Sequence, residues 1–156
     1  MVKRIEAVLS DVPFFAGLGA SELELLAGCA KNVHFAQGDV LFREGDPANA
    51  FYVVRGGTVA LETFAPARGG MTIETIDAGE VIGWSWLFSP YQWHFDARAV
   101  ENAGVVAFDG ACLRGKCDAD LALGYELMRR FAHVMIDRLQ HTRTLLLDVY
   151  GDSPGT

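Results

Sequence analysis

The sequence has no long apolar run, although hydrophobic residues make up 51% of it. A membrane span needs roughly 18 consecutive apolar residues, so no membrane association is expected. The opening Met-Val-Lys-Arg-Ile-Glu reaches Asp11 and Pro13 without a signal-peptide core. Positive charge is scarce as well: 13 Lys and Arg against 20 Asp and Glu give a formal net charge of −7. A protein that grips DNA or RNA by its own field carries the opposite sign, so direct DNA binding is not expected. The 3 cysteines, Cys29, Cys112 and Cys117, form no Cys-x-x-Cys and no Cys/His set. They read as reduced thiols in a cytoplasmic protein.

Catalytic constellations are missing too. The histidines at 34, 94, 133 and 141 supply no His-x-His pair, and no Gly-x-Ser-x-Gly elbow occurs. No metal, no cofactor and no enzymatic activity are therefore expected. What the sequence does have is glycine, 17 in 156 residues. That density marks many tight turns between short strands within one domain.

The chain divides into three stretches. N-terminal helices are expected over residues 1–31, a β-roll over 32–110 and C-terminal helices over 111–150, all in one domain, with 151–156 a disordered tail. Ile5, Val8 and Leu9 make a short apolar stripe, and Ser21 with Glu24 three residues on forms a capping-box pattern for a second helix reaching Cys29. From Val33, strands alternate with glycine turns, and residues 66–70 read as a loop before a strand at Met71–Ile76. From Asp118 to Tyr150, Leu121, Met128, Phe131, Met135, Leu139 and Leu146 recur at helical spacing, with Arg129, Arg130, Asp137 and Arg138 between them.

The order of glycines within the roll is specific. Gly38-Asp39-Val40-Leu41-Phe42-Arg43-Glu44-Gly45-Asp46, followed by Phe51-Tyr52-Val53-Val54-Arg55-Gly56-Gly57-Thr58-Val59, resembles the first half of the cyclic-nucleotide-binding domain. Catabolite-activator-type bacterial regulators, protein kinase regulatory subunits and cyclic-nucleotide-gated channels share that fold. The opening Val12-Pro13-Phe14-Phe15-Ala16-Gly17-Leu18, the cassette start Gly79-Glu80-Val81-Ile82-Gly83 and the strand Glu101–Ala107 extend the resemblance over residues 12–147. It implies a mainly β fold, a double-stranded β-helix (a jelly-roll-like β-roll) with N-terminal helices and a long C-terminal helix.

The resemblance also implies a ligand cassette, a glycine-rich turn and short helix whose N–H groups favour an anion. In the family an acid just after the second glycine holds the ribose 2′-hydroxyl. An arginine about ten residues later, followed by Ser or Thr and then Ala, takes the cyclic phosphate. Here Trp84 stands in the acid's place, His94 in the arginine's, and Phe95 and Asp96 follow. Tryptophan cannot accept the sugar's hydrogen bond, and Asp96 repels a phosphate. Binding of cyclic AMP or cyclic GMP in the usual manner is not expected.

The candidate ligand-binding residues are Gly79, Glu80, Gly83, Trp84, Ser85, Trp86, His94, Phe95 and Arg98. Arg98 either reaches a phosphate in a shifted register or pairs with Asp96 on one strand face. Ser85 either donates to a ligand or caps the cassette helix. Trp84, Trp86 and Trp93, with Phe88, Tyr91 and Phe95, either wall a pocket for another planar ligand or fill the cavity themselves. Leu121, Met128, Phe131, Met135, Leu139 and Leu146 of the long helix offer one seam for a homodimer or a protein partner. The sequence is thus read as a non-enzymatic regulatory or sensor domain, the alternative being a ligand-free structural or regulatory subunit of a larger complex, or a binder of a non-nucleotide planar ligand.

Overall fold

Residues 5–65 and 69–151 are described by the computed structural model. Helix α1 (Ile5–Ser10), a single 3-10 turn at Pro13–Phe15 and α2 (Ala20–Ala27) precede the roll. Eight strands follow among the described residues: β1 (Ala30–Phe35), β2 (Val40–Phe42), β3 (Ala50–Gly56), β4 (Val59–Ala65), β5 (Gly69–Ile76), β6 (Val81–Ile82), β7 (Asp96–Ala99) and β8 (Ala103–Asp109). Helices α3 (Gly110–Ala119) and α4 (Leu121–Gly151) close the chain.

The strands form two antiparallel sheets, ordered β1-β8-β3-β6 and β2-β7-β4-β5. Alternation along β3 and β8 explains why two sheets and a helical layer pack as one unit. Phe51, Val53, Val106 and Phe108 point to the helices, where they meet Leu9, Phe15, Leu26, Leu113, Leu123, Leu127 and Phe131. Val54, Ala103 and Val105 point the other way, into the roll, against Val59, Leu61, Ile76, Ala97 and Ala99. One sheet is therefore covered on both faces. The mainly β architecture with flanking helices is the one expected.

Several local expectations need correction. The second helix starts earlier than the Ser21/Glu24 pattern implies: Gly19 is its N-cap, and the Gly19 N–H donates to the Glu22 carboxylate at 3.3 Å. Glu22 lies in the first turn, where a carboxylate meets free N–H groups, and this outweighs the serine signal. The expected loop at residues 66–70 is shorter, because Gly69 and Gly70 already pair with Ala65 and Phe64 across the β4–β5 hairpin. Residues 66–68 lie outside the described residues, as does the expected tail beyond Gly151.

The largest correction concerns the cysteines. Cys29 and Cys112 are joined in a disulfide across a sequence separation of 83, and only Cys117 is a free, buried thiol. Spacing along the chain gave no hint of it, since the fold alone brings the start of β1 to the first turn of α3. Burial and the neighbouring Asp118 and Asp120 push the Cys117 thiol above its ordinary pKa.

Helix α3 is capped by Asp109, which accepts the Cys112 N–H at 2.8 Å. Asp120 then caps α4 through the Leu123 N–H at 3.1 Å. The two helices cross closely at Gly124, where a Cβ would sit 3.2 Å from that of Cys117. Helix α4 runs 31 residues, about 46 Å at 1.5 Å per residue. Its Leu123, Leu127 and Phe131 are buried on the roll, with Val134 packed alongside.

Candidate ligand site

The turn between β5 and β6 aims the cassette at α4. Gly79 takes a φ of +92°, and its N–H donates to the Val54 carbonyl at 2.8 Å. The Glu80 carboxylate accepts the Asp77 N–H at 3.0 Å, so it fastens this turn. Gly83 takes a φ of +99°, and a Cβ there would lie 2.5 Å from Cη2 of Trp93. Both demands exclude other residues.

No helix forms between Gly83 and β7. The cassette is a turn, closed by the Leu87 N–H donating to the Trp84 carbonyl at 3.0 Å. The expected short helix and its anion-favouring N-terminus are therefore absent. Ser85 has no helix to cap and is buried. The reason is the aromatic content of the segment, which makes the chain dive into two cores.

Trp86 is fully buried in the helical core, stacked on Phe51 and edge-on to Phe131. Its indole Nε1 is buried without a hydrogen-bond partner, while its carbonyl accepts from Arg114. Trp93 lies inside the roll, parallel to Phe42 with ring centroids 3.6 Å apart. Phe95 completes this cluster, 5.7 Å from Phe42 and 6.3 Å from Trp84. Its ring stands where the resemblance puts a Ser or Thr for the phosphate, packed among rings in the interior.

His94 is exposed and precedes β7 rather than lying on it. Arg98 does not pair with Asp96 as expected. It makes two hydrogen bonds to Glu62 of β4, Nε to Oε1 at 3.0 Å and an Nη to Oε2 at 2.9 Å. The strand register sets Ala60 opposite Arg98 and Glu62 opposite Asp96, so the pair spans a diagonal within reach of a long side chain. Asp96 is engaged elsewhere, accepting the Glu44 N–H at 2.7 Å. Hydrogen bonding to Arg98 holds the Glu62 carboxyl below its ordinary pKa.

The residue that sequence reasoning missed is Arg138. It projects from α4, and only 11% of its side chain is exposed. It donates to the Val81 carbonyl, pairs with Glu74 of β5 at 3.3 Å and lies 5.3 Å from the centroid of Trp84. Burial pushes its pKa down, and the charges of Glu74 and Glu80 pull it back up. Two turns earlier, Arg130 donates to the Phe14 carbonyl at 2.6 Å. A signal was present: 127, 131, 134 and 138 share one helical face, so Arg138 continues the stripe of Leu127, Phe131 and Val134.

An apolar groove of about 550 Å³ lies between Trp84 and α4, lined also by Ala132, Met135, Ile136, Arg138, Leu139 and Thr142. Among the described residues no cluster of three or more His, Cys, Asp or Glu side chains can hold a metal. No helix of the described residues is long and apolar enough to cross a membrane.

Two facing sheets closed by a long helix, with a glycine-bounded turn aimed at that helix, define the β-roll class of regulatory domain. The profile of the cyclic nucleotide-binding domain matches residues 32–120, and the chain belongs to that family. A CRP-like cAMP-activated global transcriptional regulator of Mycobacterium tuberculosis is 24% identical over 152 residues, which cover 97% of this chain and 66% of the regulator. The chain thus spans just under two thirds of that relative's length. A Geobacter metallireducens protein assigned to cyclic nucleotide binding superposes with a TM-score of 0.77 at 29% identity, covering 89% of this chain and 99% of its own. The catabolite activator protein of Thermus thermophilus gives a TM-score of 0.70 at 26% identity, over 89% of this chain and 63% of that one.

Proposed function

We propose that this chain is a non-enzymatic regulatory domain that does not bind cyclic AMP or cyclic GMP in the usual way and that acts through α4 as a homodimer. One observation carries the first part. The rings of Trp84, Trp93 and Phe95 pack where the family's cassette grips a nucleotide, and Arg138 closes α4 onto them. Arg98, the arginine nearest His94 in sequence, is paired with Glu62. Losing a desolvated charge-assisted pair to phosphate lowers affinity by about 2–5 kcal/mol. Calorimetry tests this: no saturable heat at micromolar cyclic AMP or cyclic GMP is expected, and micromolar binding overturns the reading.

The second part rests on a pattern. Leu121, Tyr125, Met128, Ala132, Met135, Leu139, Thr142 and Leu146 follow one another in steps of four and three residues. This is the heptad spacing of a coiled-coil seam. Leu121 and Leu139 on it are 77% and 70% exposed, whereas Phe131, read from sequence as a member of the seam, is buried on the roll instead. A second copy of the same helix supplies a matching apolar stripe. Sedimentation should give a dimer, and Met128→Glu with Leu139→Glu should give a folded monomer. A wild-type monomer at micromolar concentration defeats this part. Cytoplasmic location and lack of DNA reading by this domain belong to the same proposal.

A second reading is favoured by the groove beside Trp84, whose lining is largely apolar. A planar non-nucleotide ligand there would bridge the cassette and α4. A thermal-shift screen of nucleotides and planar acids separates the two, since a ligand that binds only the folded state must raise the melting temperature.

A further inference from the structure

We propose that the Cys29–Cys112 disulfide is a thiol-redox input to this domain, a bond that opens and closes reversibly and so sets how firmly α3, and with it α4, is held to the roll. Its position supports this. Cys29 ends the α2–β1 junction, and Cys112 lies in the first turn of α3, the helix that leads directly into α4. The crosslink therefore ties the N-terminal helices to the point where the C-terminal hairpin leaves the sheet. Its consequence for signalling rests on the transmitting role of α4 proposed above.

The surroundings suit exchange rather than a permanent staple. Both cysteines line a surface groove of about 680 Å³, together with Lys31 and Tyr52. Cys112 is partly exposed, while Cys29 is 8% exposed. A thiolate at Cys112 would sit at the N-terminal end of a ten-residue helix, where free N–H groups stabilise it. The third cysteine does not compete, since Cys117 is buried against Gly124. Hydrogen bonds also span the same junction. The Asp109 N–H donates to the Cys29 carbonyl at 2.8 Å, and Asp109 caps Cys112. These contacts and the buried Leu113 hold α3 in place after the bond opens, so that reduction loosens the junction without unfolding it.

The chemistry is thiol–disulfide exchange with a small thiol or a protein dithiol. A reductant thiolate attacks Sγ of Cys112, the Sγ–Sγ bond breaks, and Cys29 leaves as a thiolate that takes up a proton. A second reductant thiolate then attacks the reductant's sulfur in the mixed disulfide, releasing Cys112 and the oxidised reductant. Two electrons pass to the protein. Oxidation reverses the path: Cys112 attacks the oxidant's disulfide and Cys29 resolves it.

The test uses the full chain. Under dithiothreitol, alkylation and mass spectrometry should show two new thiols, Cys112 labelled before Cys29, with the far-ultraviolet circular dichroism unchanged. Amide exchange across residues 110–119 should rise about tenfold and return when oxidised glutathione is added. The double variant Cys29→Ser/Cys112→Ser should exchange at the fast rate whether or not thiol is present; if it does not fold, the reversible wild-type experiment decides alone. A bond that opens only when the chain unfolds overturns the proposal, as does reduction that leaves exchange at 110–119 unchanged. Three alkylatable thiols in protein treated with oxidised glutathione overturn it too. Calorimetry and sedimentation judge the α4 reading separately, so either can fail without the other.

Discussion

Removing the guanidinium of Arg138 should release α4 from the cassette while leaving the roll intact. In Arg138→Met the Val81 carbonyl loses a charged donor, Glu74 loses its counter-ion and Trp84 loses the cation at its face. A hydrogen bond to a charged group contributes about 1.5–3 kcal/mol, and a half-desolvated cation–π contact about 1 kcal/mol. Against these stands the cost of burying the guanidinium, one Nη of which is buried without a partner. Methionine also recovers part of the apolar contact. The net loss should be about 2–4 kcal/mol, larger than for Glu74→Gln, and the double variant should lose less than the sum of the two, because neither charge is then left alone. Urea denaturation measures the energies, and hydrogen exchange across residues 132–144 measures the release. If Arg138→Met costs under about 0.5 kcal/mol, within the range of an ordinary surface change, the contact does not hold the helix. Strict additivity with Glu74→Gln would likewise refute the coupling.

Other consequences follow from single contacts. Gly83→Ala should cost about 2–4 kcal/mol, from the positive φ and the overlap with Trp93. In a Trp93→Phe background the cost should fall, because phenylalanine lacks the Cη2 and Cζ3 atoms in the way; an equal cost in both backgrounds would show that Trp93 is not the obstacle. Glu62 has its pKa lowered in the folded state, so its contribution is full above the ordinary carboxylate pKa and fades as pH falls through the depressed value. Thermal melts from pH 7 to 3 should show wild type and Glu62→Gln converging at the acid end, and parallel curves would count against the Arg98 pairing. The disulfide closes a loop of 83 residues in sequence separation, for which chain entropy gives about 4–5 kcal/mol. Calorimetric melting with and without reductant should differ by about 10–15 °C, and a shift under about 3 °C would mean that the denatured chain gains little from opening.

The frame of this fold was legible because each of its signals is local. Glycine turns at Gly38, Gly45, Gly57, Gly79 and Gly83 all require positive φ, and alternation along β3 and β8 follows from the pleat. The missed features are relations between distant residues. Arg98 had an acidic neighbour two positions away in Asp96, yet residues i and i+2 on a strand lie nearly 7 Å apart, and the strand across brings Glu62 closer. The disulfide depends on two residues that only the completed sheet makes adjacent. On α4 the error was of phase: a 3.6-residue stripe facing the roll and a 3.5-residue seam facing outward overlap in sequence, and Phe131 fits either until the roll is in place.

The two stripes also explain why Arg138 sits where it does. A helix that must hold to a roll on one side and offer a seam on the other cannot rely on apolar contact alone, since a wholly apolar helix would bury itself without direction. Leu123, Leu127 and Phe131 secure its first half in the core. From His141 to Asp148 every side chain is exposed, so the last points of attachment lie just before that stretch, and Arg138 is among them. Its partners lie on the cassette turn, at Val81 and Trp84, and on the neighbouring strand β5, at Glu74. A charge closing on the cassette fixes the orientation of α4 through directional bonds, and it does so with the protein's own side chain. Because Arg138 lies against the Trp84 ring, α4 should respond to anything that displaces Trp84.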